Sequence, residues 1–220
     1  MLCKEITTSN FPLLHPEDKV SDVLQQSHHT GILYFPVAND EELIGVLPLN
    51  EITEMPVNTS IAELQHIFIK ISVPENEHFI SALKILELTD SNILPVIDNE
   101  HKYLGVITQT SLLDALAILL DVENNNGGLI VLEMSKIEYS FSEISRIVES
   151  TDANILQLNS YFDVKTELFI VTIRVSRNNV SEIVNALQRH DYHIAYFVGE
   201  ELYENEIKRN YDALMNYLNI

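Results

Sequence analysis

Cysteine occurs once in the 220 residues, as Cys3, so no intrachain disulfide can form and a reducing compartment suits the chain. Cations are scarce too: 13 Lys and Arg stand against 33 Asp and Glu, a formal net charge of −20. Such a surface keeps a protein in solution and repels phosphate backbones and anionic lipid, so neither nucleic acid nor a membrane is an expected partner. The opening residues MLCKEITTSN lack the basic start and apolar core of a secretory signal. The longest apolar run, residues 112–120, is interrupted by Asp114 and is too short to span a bilayer. These absences together place the chain in the cytoplasm. What is present is a hydrophobic fraction of 46%, ample for a core, in a length that fits one or two domains.

The first half contains a repeat. Ile44-Gly-Val-Leu-Pro-Leu-Asn-Glu-Ile52 has the shape of Leu104-Gly-Val-Ile-Thr-Gln-Thr-Ser-Leu-Leu113 about sixty residues later. Phe35-Pro-Val37 precedes the first glycine and Leu94-Pro-Val96 the second. Pro36 to Gly45 is nine residues and Pro95 to Gly105 is ten, the extra one falling in a polar turn (39–42 in one copy, 98–102 in the other). Val20, Val23 and Leu24, then Phe79, Ala82, Leu83 and Leu86, follow helical spacing, each sixteen residues ahead of its proline. Pro16-Glu17-Asp18 and Pro74-Glu75-Asn76-Glu77 suit first helical turns. Each unit therefore reads strand, helix, strand, turn, strand, helix, with buried strands at 31–37 and 92–97. One unit alone cannot cover its sheet, whereas two can pack sheet to sheet.

Residues 124–128, Asn-Asn-Asn-Gly-Gly, mark a linker. Beyond it, strands are predicted at 129–134, 154–162, 168–176 and 193–198. Helix faces are carried by Phe141, Ile144, Ile147 and Val148, and by Val180, Ile183, Val184 and Leu187. Phe169, Val171, Ile173 and Val175 alternate onto one face of their strand. Ser140 with Glu143, and Asn179 with Glu182, have capping spacing ahead of the helices. The order βαββαβ is the ferredoxin-like split motif. In 201–220, Ile207, Tyr211, Leu214 and Leu218 form one stripe of a further helix, to be packed on this sheet or on a partner subunit.

The doubled pattern, a helix, hydrophobic-Pro-Val, an acidic turn and Gly-hydrophobic-hydrophobic-Thr, resembles a CBS pair, or Bateman module. The unit after it looks like an ACT domain, and the combination is similar to the acetoin-utilisation B family of bacterial CBS proteins. The implied fold is mixed α/β: tandem CBS repeats with two packed sheets (1–122, repeats at about 1–57 and 58–122), a ferredoxin-like ACT-type domain (127–200) and a C-terminal helix (201–220). The resemblance implies a non-enzymatic regulator and a homodimer, with an adenosine derivative in a cleft between the repeats: AMP, ATP, adenosine or S-adenosylmethionine. The other reading is an interaction scaffold whose pair is purely structural.

Carried over position by position, the ligand residues are Pro36, Val37 and Glu51 in one copy and Pro95, Val96, Thr108 and Ser111 in the other. Glu51 and Ser111 stand where the family has a ribose-binding aspartate, and Pro48 stands at the threonine position of the first copy. Tyr34 and Ile93 occupy the place of a basic residue that pairs phosphate. Without that cation, on a chain of charge −20, a neutral or cationic adenosyl ligand is expected to bind better than ATP. His28, His29 and Lys102 are the other cations within sequence reach of the phosphates. No metal site is expected: His28 and His29 point about 100° apart on a helix and suit its C-terminal end. Thr108, Ser111 and Asp114 lack the histidine a nucleophile group would need, so no catalytic residue is assigned. The loop Ser135-Lys-Ile-Glu-Tyr-Ser140 lacks the glycine that lets an amino acid approach an ACT backbone.

Overall fold

In a computed structural model of the protein, the structure describes residues 1–39, 41–123 and 127–199. The chain divides into two compact units, Met1–Asp121 and Val122–Ile220.

In the first unit, helix α1 (Val20–Thr30) leads into the antiparallel strands β1 (Tyr34–Asn39) and β2 (Glu42–Pro48). The second repeat supplies β3 (Val73–Pro74), α2 (Phe79–Glu87), β4 (Ile93–Ile97), β5 (Tyr103–Thr108) and α3 (Gln109–Leu119), with β3 parallel and β5 antiparallel to β4. The partners match across the repeat: Val37 faces Gly45 as Val96 faces Gly105. Val20, Val23, Phe35, Val37 and Leu47 build one core, and Phe79, Ala82, Leu94, Val96 and Ile107 the other.

The repeats differ from the sequence reading at their ends. The first β-strand begins at Tyr34 rather than at residue 31, because Gly31 closes α1 in the left-handed conformation (φ 70°), its N–H donating to Ser27 O. The acidic stretches precede the helices instead of forming their first turns. Asp18 accepts from His15 N, and Pro74 is still in the sheet opposite Ile97. The helix expected after β2 shrinks to a 3-10 turn, Leu49–Glu51, which follows Pro48 without a side-chain cap.

The two sheets are tied by exchanged edges. Thr8, in the leader of repeat one, pairs with Val106 of β5. Ile69, in the leader of repeat two, pairs with Val46 of β2. Each tie is two backbone hydrogen bonds of 2.9–3.0 Å. The exchange reaches the cores as well: Cys3, Met1 and Ile6 pack with Val73 and Phe79 of the second repeat. Burial there raises the Cys3 thiol to about 11. Both hairpin turns also meet, Tyr103 N donating to Glu41 O (2.6 Å) and Lys102 Nζ lying 2.9 Å from Glu41.

The second unit is β6 (Leu129–Met134), α4 (Phe141–Glu149), β7 (Ile155–Asp163), β8 (Leu168–Val175), α5 (Ser181–Arg189) and β9 (His193–Val198). Its sheet is antiparallel in the order β7-β8-β6-β9, the ferredoxin-like topology. Val171, Ile173 and Val175 face the helices as their alternation predicts, against Ile144, Ile147, Ile183 and Leu187. Ser140 Oγ caps α4 by accepting from Glu143 N. At α5 the cap differs: Asn179 Oδ1 accepts from Ser181 N, while Glu182 turns away to Arg177 (3.3 Å). The expected helix at 201–220 lies outside the described residues.

The exchange explains the repeated glycine. A Cβ on Gly45 would sit 3.1 Å from Ile69 O. One on Gly105, whose φ is 144°, would collide with Thr8 O. Gly105→Ala is expected to destabilise the first unit by about 3 kcal/mol, from strain plus displacement of the Thr8 tie, and Gly45→Ala by less. Urea unfolding of both variants checks the order.

Candidate functional site

Pro36 and Val37 lie in β1, and Pro95 and Val96 in β4; all four are buried. The valine side chains belong to the repeat cores, 1% and 0% exposed. The outer edges of both strands are in use. Leu14 N donates to Pro36 O and Ala38 N donates to Leu14 O, while β3 pairs with Val96 and Ile97.

Between the two sheets runs an apolar seam of Val46, Ile93 and Val106, with Tyr34, Phe11, Ile69 and Tyr103 packed against it. Tyr34 and Ile93, the two positions at which a phosphate-pairing cation was sought, are thus both part of a hydrophobic contact. Lys102 is held by Glu41 and by Glu100 at 3.7 Å. The side-chain bond to Glu41 is the main cause that raises its pKa. His28 and His29 are exposed in the last turn of α1.

The polar positions diverge sharply. Thr108 is the N-cap of α3, and Thr108 with Ser111 closes a reciprocal cap. Thr108 N donates to Ser111 Oγ (2.9 Å), and Ser111 N to Thr108 Oγ1 (3.1 Å). The hydroxyl of Ser111 donates to Thr108 O at 3.0 Å. The serine at the ribose position is therefore committed to its own helix, and so is the threonine once weighed as part of a nucleophile group. In repeat one this lock cannot form. Pro48 has neither an N–H to donate nor a hydroxyl to accept. Glu51 is consequently exposed at the end of its 3-10 turn, with its neighbour Asn50 Nδ2 at 3.3 Å.

Three side-chain atoms in the second repeat are buried without a hydrogen-bond partner: Thr89 Oγ1, Asn92 Oδ1 and the Tyr103 hydroxyl. Desolvation lifts the Tyr103 phenol to about 12. Asn92 adjoins the α3 cap, since Gln109 N donates to Asn92 O at 3.3 Å. A buried unmet acceptor there suits a ligand N–H or O–H. Sequence reasoning passed these residues over because orphanhood is a product of packing and has no sequence signature.

In the second unit, a cavity of about 560 Å³ opens beside the Ser135–Ser140 loop, lined by Glu133, Glu138, Glu143, Asp191, His190 and His193 among others. Ser135 N donates to Glu138 at 2.9 Å, and this bond holds the carboxyl below its ordinary range. An amino acid's carboxylate would meet several others there. Among the described residues no group of three or more His, Cys, Asp or Glu is arranged to hold a metal ion. No helix among them is long and apolar enough to cross a membrane.

Two α/β repeats of one pattern, packed sheet to sheet around a shared seam, define a tandem-repeat class of module. The CBS domain family matches residues 3–58 and again 56–118, more than half of the chain, and the chain belongs to that family. An uncharacterized protein of Methanocaldococcus jannaschii is 27% identical over 84 residues, 37% of this chain and only 28% of the relative's length. A CBS domain pair/ACT domain protein of Thermotoga maritima superposes with a TM-score of 0.50 at 20% identity, over 55% of this chain and 99% of that structure. The CBS domains of a transcriptional regulator from Streptococcus pneumoniae give 0.47 at 17% identity, over 52% and 98%. These likenesses concern the fold.

Because Ser111 serves α3, Ser111→Ala is expected to cost about 1 kcal/mol of stability. Chemical denaturation of the variant measures this.

Proposed function

We propose that the protein is a non-enzymatic regulator whose CBS pair senses an adenosine-containing ligand, with Glu51 as the ribose reader and the ferredoxin-like unit as an ACT-type dimerisation or relay domain. The single observation that carries this reading is the contrast between Ser111, consumed by its helix cap, and Glu51, left open by Pro48. A carboxylate beside a cleft accepts both hydroxyls of a ribose diol. Asn92 Oδ1, beside the α3 cap in the second repeat, is a further acceptor without a protein partner.

Charge selects among adenosyl ligands. Tyr34 and Ile93, which by resemblance stand at the family's phosphate-pairing positions, pack in the apolar seam, and the net charge is −20. Triphosphate would enter a negative field without local pairing, whereas adenosine carries no charge and S-adenosylmethionine brings a sulfonium cation. The second reading, a scaffold whose pair binds nothing, is favoured by the occupied edges of β1 and β4. Absence of any thermal shift with all four adenosyl compounds would select it, since a ligand that binds only the native state raises stability.

Calorimetry without divalent metal is expected to rank adenosine or S-adenosylmethionine above AMP, and AMP above ATP. Tightest binding by ATP would overturn the charge argument. Glu51→Ala should weaken the preferred ligand about tenfold to a hundredfold, as expected for one charge-assisted hydrogen bond, with the fold intact. Unchanged affinity would remove Glu51 from the site.

The chain is also expected to dimerise. Leu113 and Ile118 of α3 are 66% and 67% exposed, an apolar surface that suits burial against a second copy. Light scattering at micromolar concentration should give twice the 25.1 kDa chain mass; the single-chain value would exclude a stable dimer.

A further inference from the structure

The four-stranded sheet of the second unit ends on two edge strands, β7 and β9. In the first unit exchanged segments close the hairpin edges, but among the described residues no strand lies beyond β7 or β9. An uncovered edge presents a row of backbone N–H and C=O groups, and it is ordinarily guarded by lysine, proline or a bulge. β9 has such a guard: its ladder to β6 slips at Ala195, in the middle of the strand. β7 lacks one over most of its length. Its slip falls at Leu156, near the start, and the ladder from Gln157 to Asp163 then runs unbroken against β8. The stretch Ile155–Phe162 contains neither lysine nor proline and no charged residue at all, in a chain of net charge −20. Asn159, Ser160, Tyr161 and Phe162 are all exposed, the two aromatics by 58% and 48%.

We infer that β7 pairs antiparallel with β7 of a second copy about a two-fold axis at Ser160, joining two four-stranded sheets into one of eight. The inference rests on the dimer expected under the proposed function and names the strand that makes it. Charge chooses the occupant. Two chains of charge −20 repel each other wherever carboxylates meet, and a strand without them is where a second copy can approach. Asp163, at the end of the ladder, falls opposite a neutral Gln157.

Geometry sets the register. Successive residues of β7 turn their backbone groups alternately toward β8 and outward, and their side chains alternately to the two faces. Outward groups must meet outward groups, so the axis passes through a residue pair rather than between two pairs. An axis at Ser160 keeps the bulge out of the contact and uses the whole unbroken ladder. Gln157 then meets Asp163, Leu158 meets Phe162, and Asn159 meets Tyr161. Leu158, Ser160 and Phe162 lie on the helix-facing side, opposite Ile173, Val171 and Phe169 of β8, and Asn159 and Tyr161 lie on the other. The pairing makes two aliphatic–aromatic contacts, Leu158 with Phe162 on either side of the axis, and about six to eight backbone hydrogen bonds.

The test uses the full chain with single added cysteines. Cys3 is buried and its thiol is raised to about 11, so an added exposed thiol is the one that reacts. Opposed Cα atoms of an antiparallel pair lie about 4.5–5.5 Å apart, within reach of a disulfide. Each variant is oxidised with diamide at micromolar concentration, and linked dimer is followed on non-reducing gels. Ser160→Cys is expected to cross-link at least about tenfold faster than Ala195→Cys on the other edge. Asn159→Cys and Tyr161→Cys should each link slowly alone and rapidly once mixed and exchanged, because they face each other and not themselves. Phe162→Lys, added to Ser160→Cys, should slow the reaction severalfold. Light scattering separates the two failures. Dimer mass without fast linking at Ser160 overturns the β7 contact alone, and single-chain mass overturns this contact and the dimer together. Equal rates at 160 and 195, a mixture no faster than its components, or indifference to Phe162→Lys would each overturn the pairing.

Discussion

The first unit depends on the exchange of edge strands between its repeats. Thr8 and Ile69 are sixty-one residues apart, as Val46 and Val106 are sixty, so the two ties are the same contact made twice. Each repeat leaves one edge of its hairpin bare, and the leader of the other repeat covers it. Four hydrogen bonds at about 0.5–1.5 kcal/mol each amount to a few kcal/mol, a sizeable part of the 5–15 kcal/mol that holds a typical domain folded. The recurrence of glycine follows from this, since both Gly45 and Gly105 are approached closely by the exchanged backbone. The module is therefore a closed pair by construction. Neither repeat completes its sheet without the other.

The same duplication then let the polar positions part company. Threonine before α3 gives a hydroxyl and an N–H, so a serine three residues on closes a cap and a long helix follows. Proline at the matching site gives neither, so the cap is missing, the helix shortens to a single turn, and the glutamate is left facing solvent. One substitution pair thus decides the local structure at both sites: a capped helix in one repeat and a single turn in the other.

Much of this was legible in sequence. The period-2 and period-3.6 patterns located the four strands and two helices among the described residues of the second unit, because Val171, Ile173 and Val175 alternate in β8 and Ile144, Ile147, Ile183 and Leu187 fall on helical faces. The repeat was legible because Pro-Val and the glycine recur at matched spacing. Three things were not. The helix starts were misread since Pro16 and Pro74 belong to the turn and strand ahead of the helix. The strand exchange involves single bridged residues, Thr8 and Ile69, that carry no periodicity. Spacing alone also does not say that the Ser111 hydroxyl already has partners in Thr108.

The scarcity of cations becomes structural on this view. Lys102 joins the two hairpin turns through Glu41, Lys70 donates to Ile44 O, and Arg177 bridges Thr151 O and Glu182. Each of these charges closes a gap between segments distant in sequence, and each is held at a surface by an acceptor of its own. A cation engaged in this way must break a native contact before it can pair with an incoming phosphate, and the apolar seam at Tyr34 and Ile93 supplies no replacement. Under the proposed function, the exposed carboxylate of Glu51 rather than an unengaged lysine is what the pair would offer, which is why a ligand of zero or positive charge is expected to be preferred.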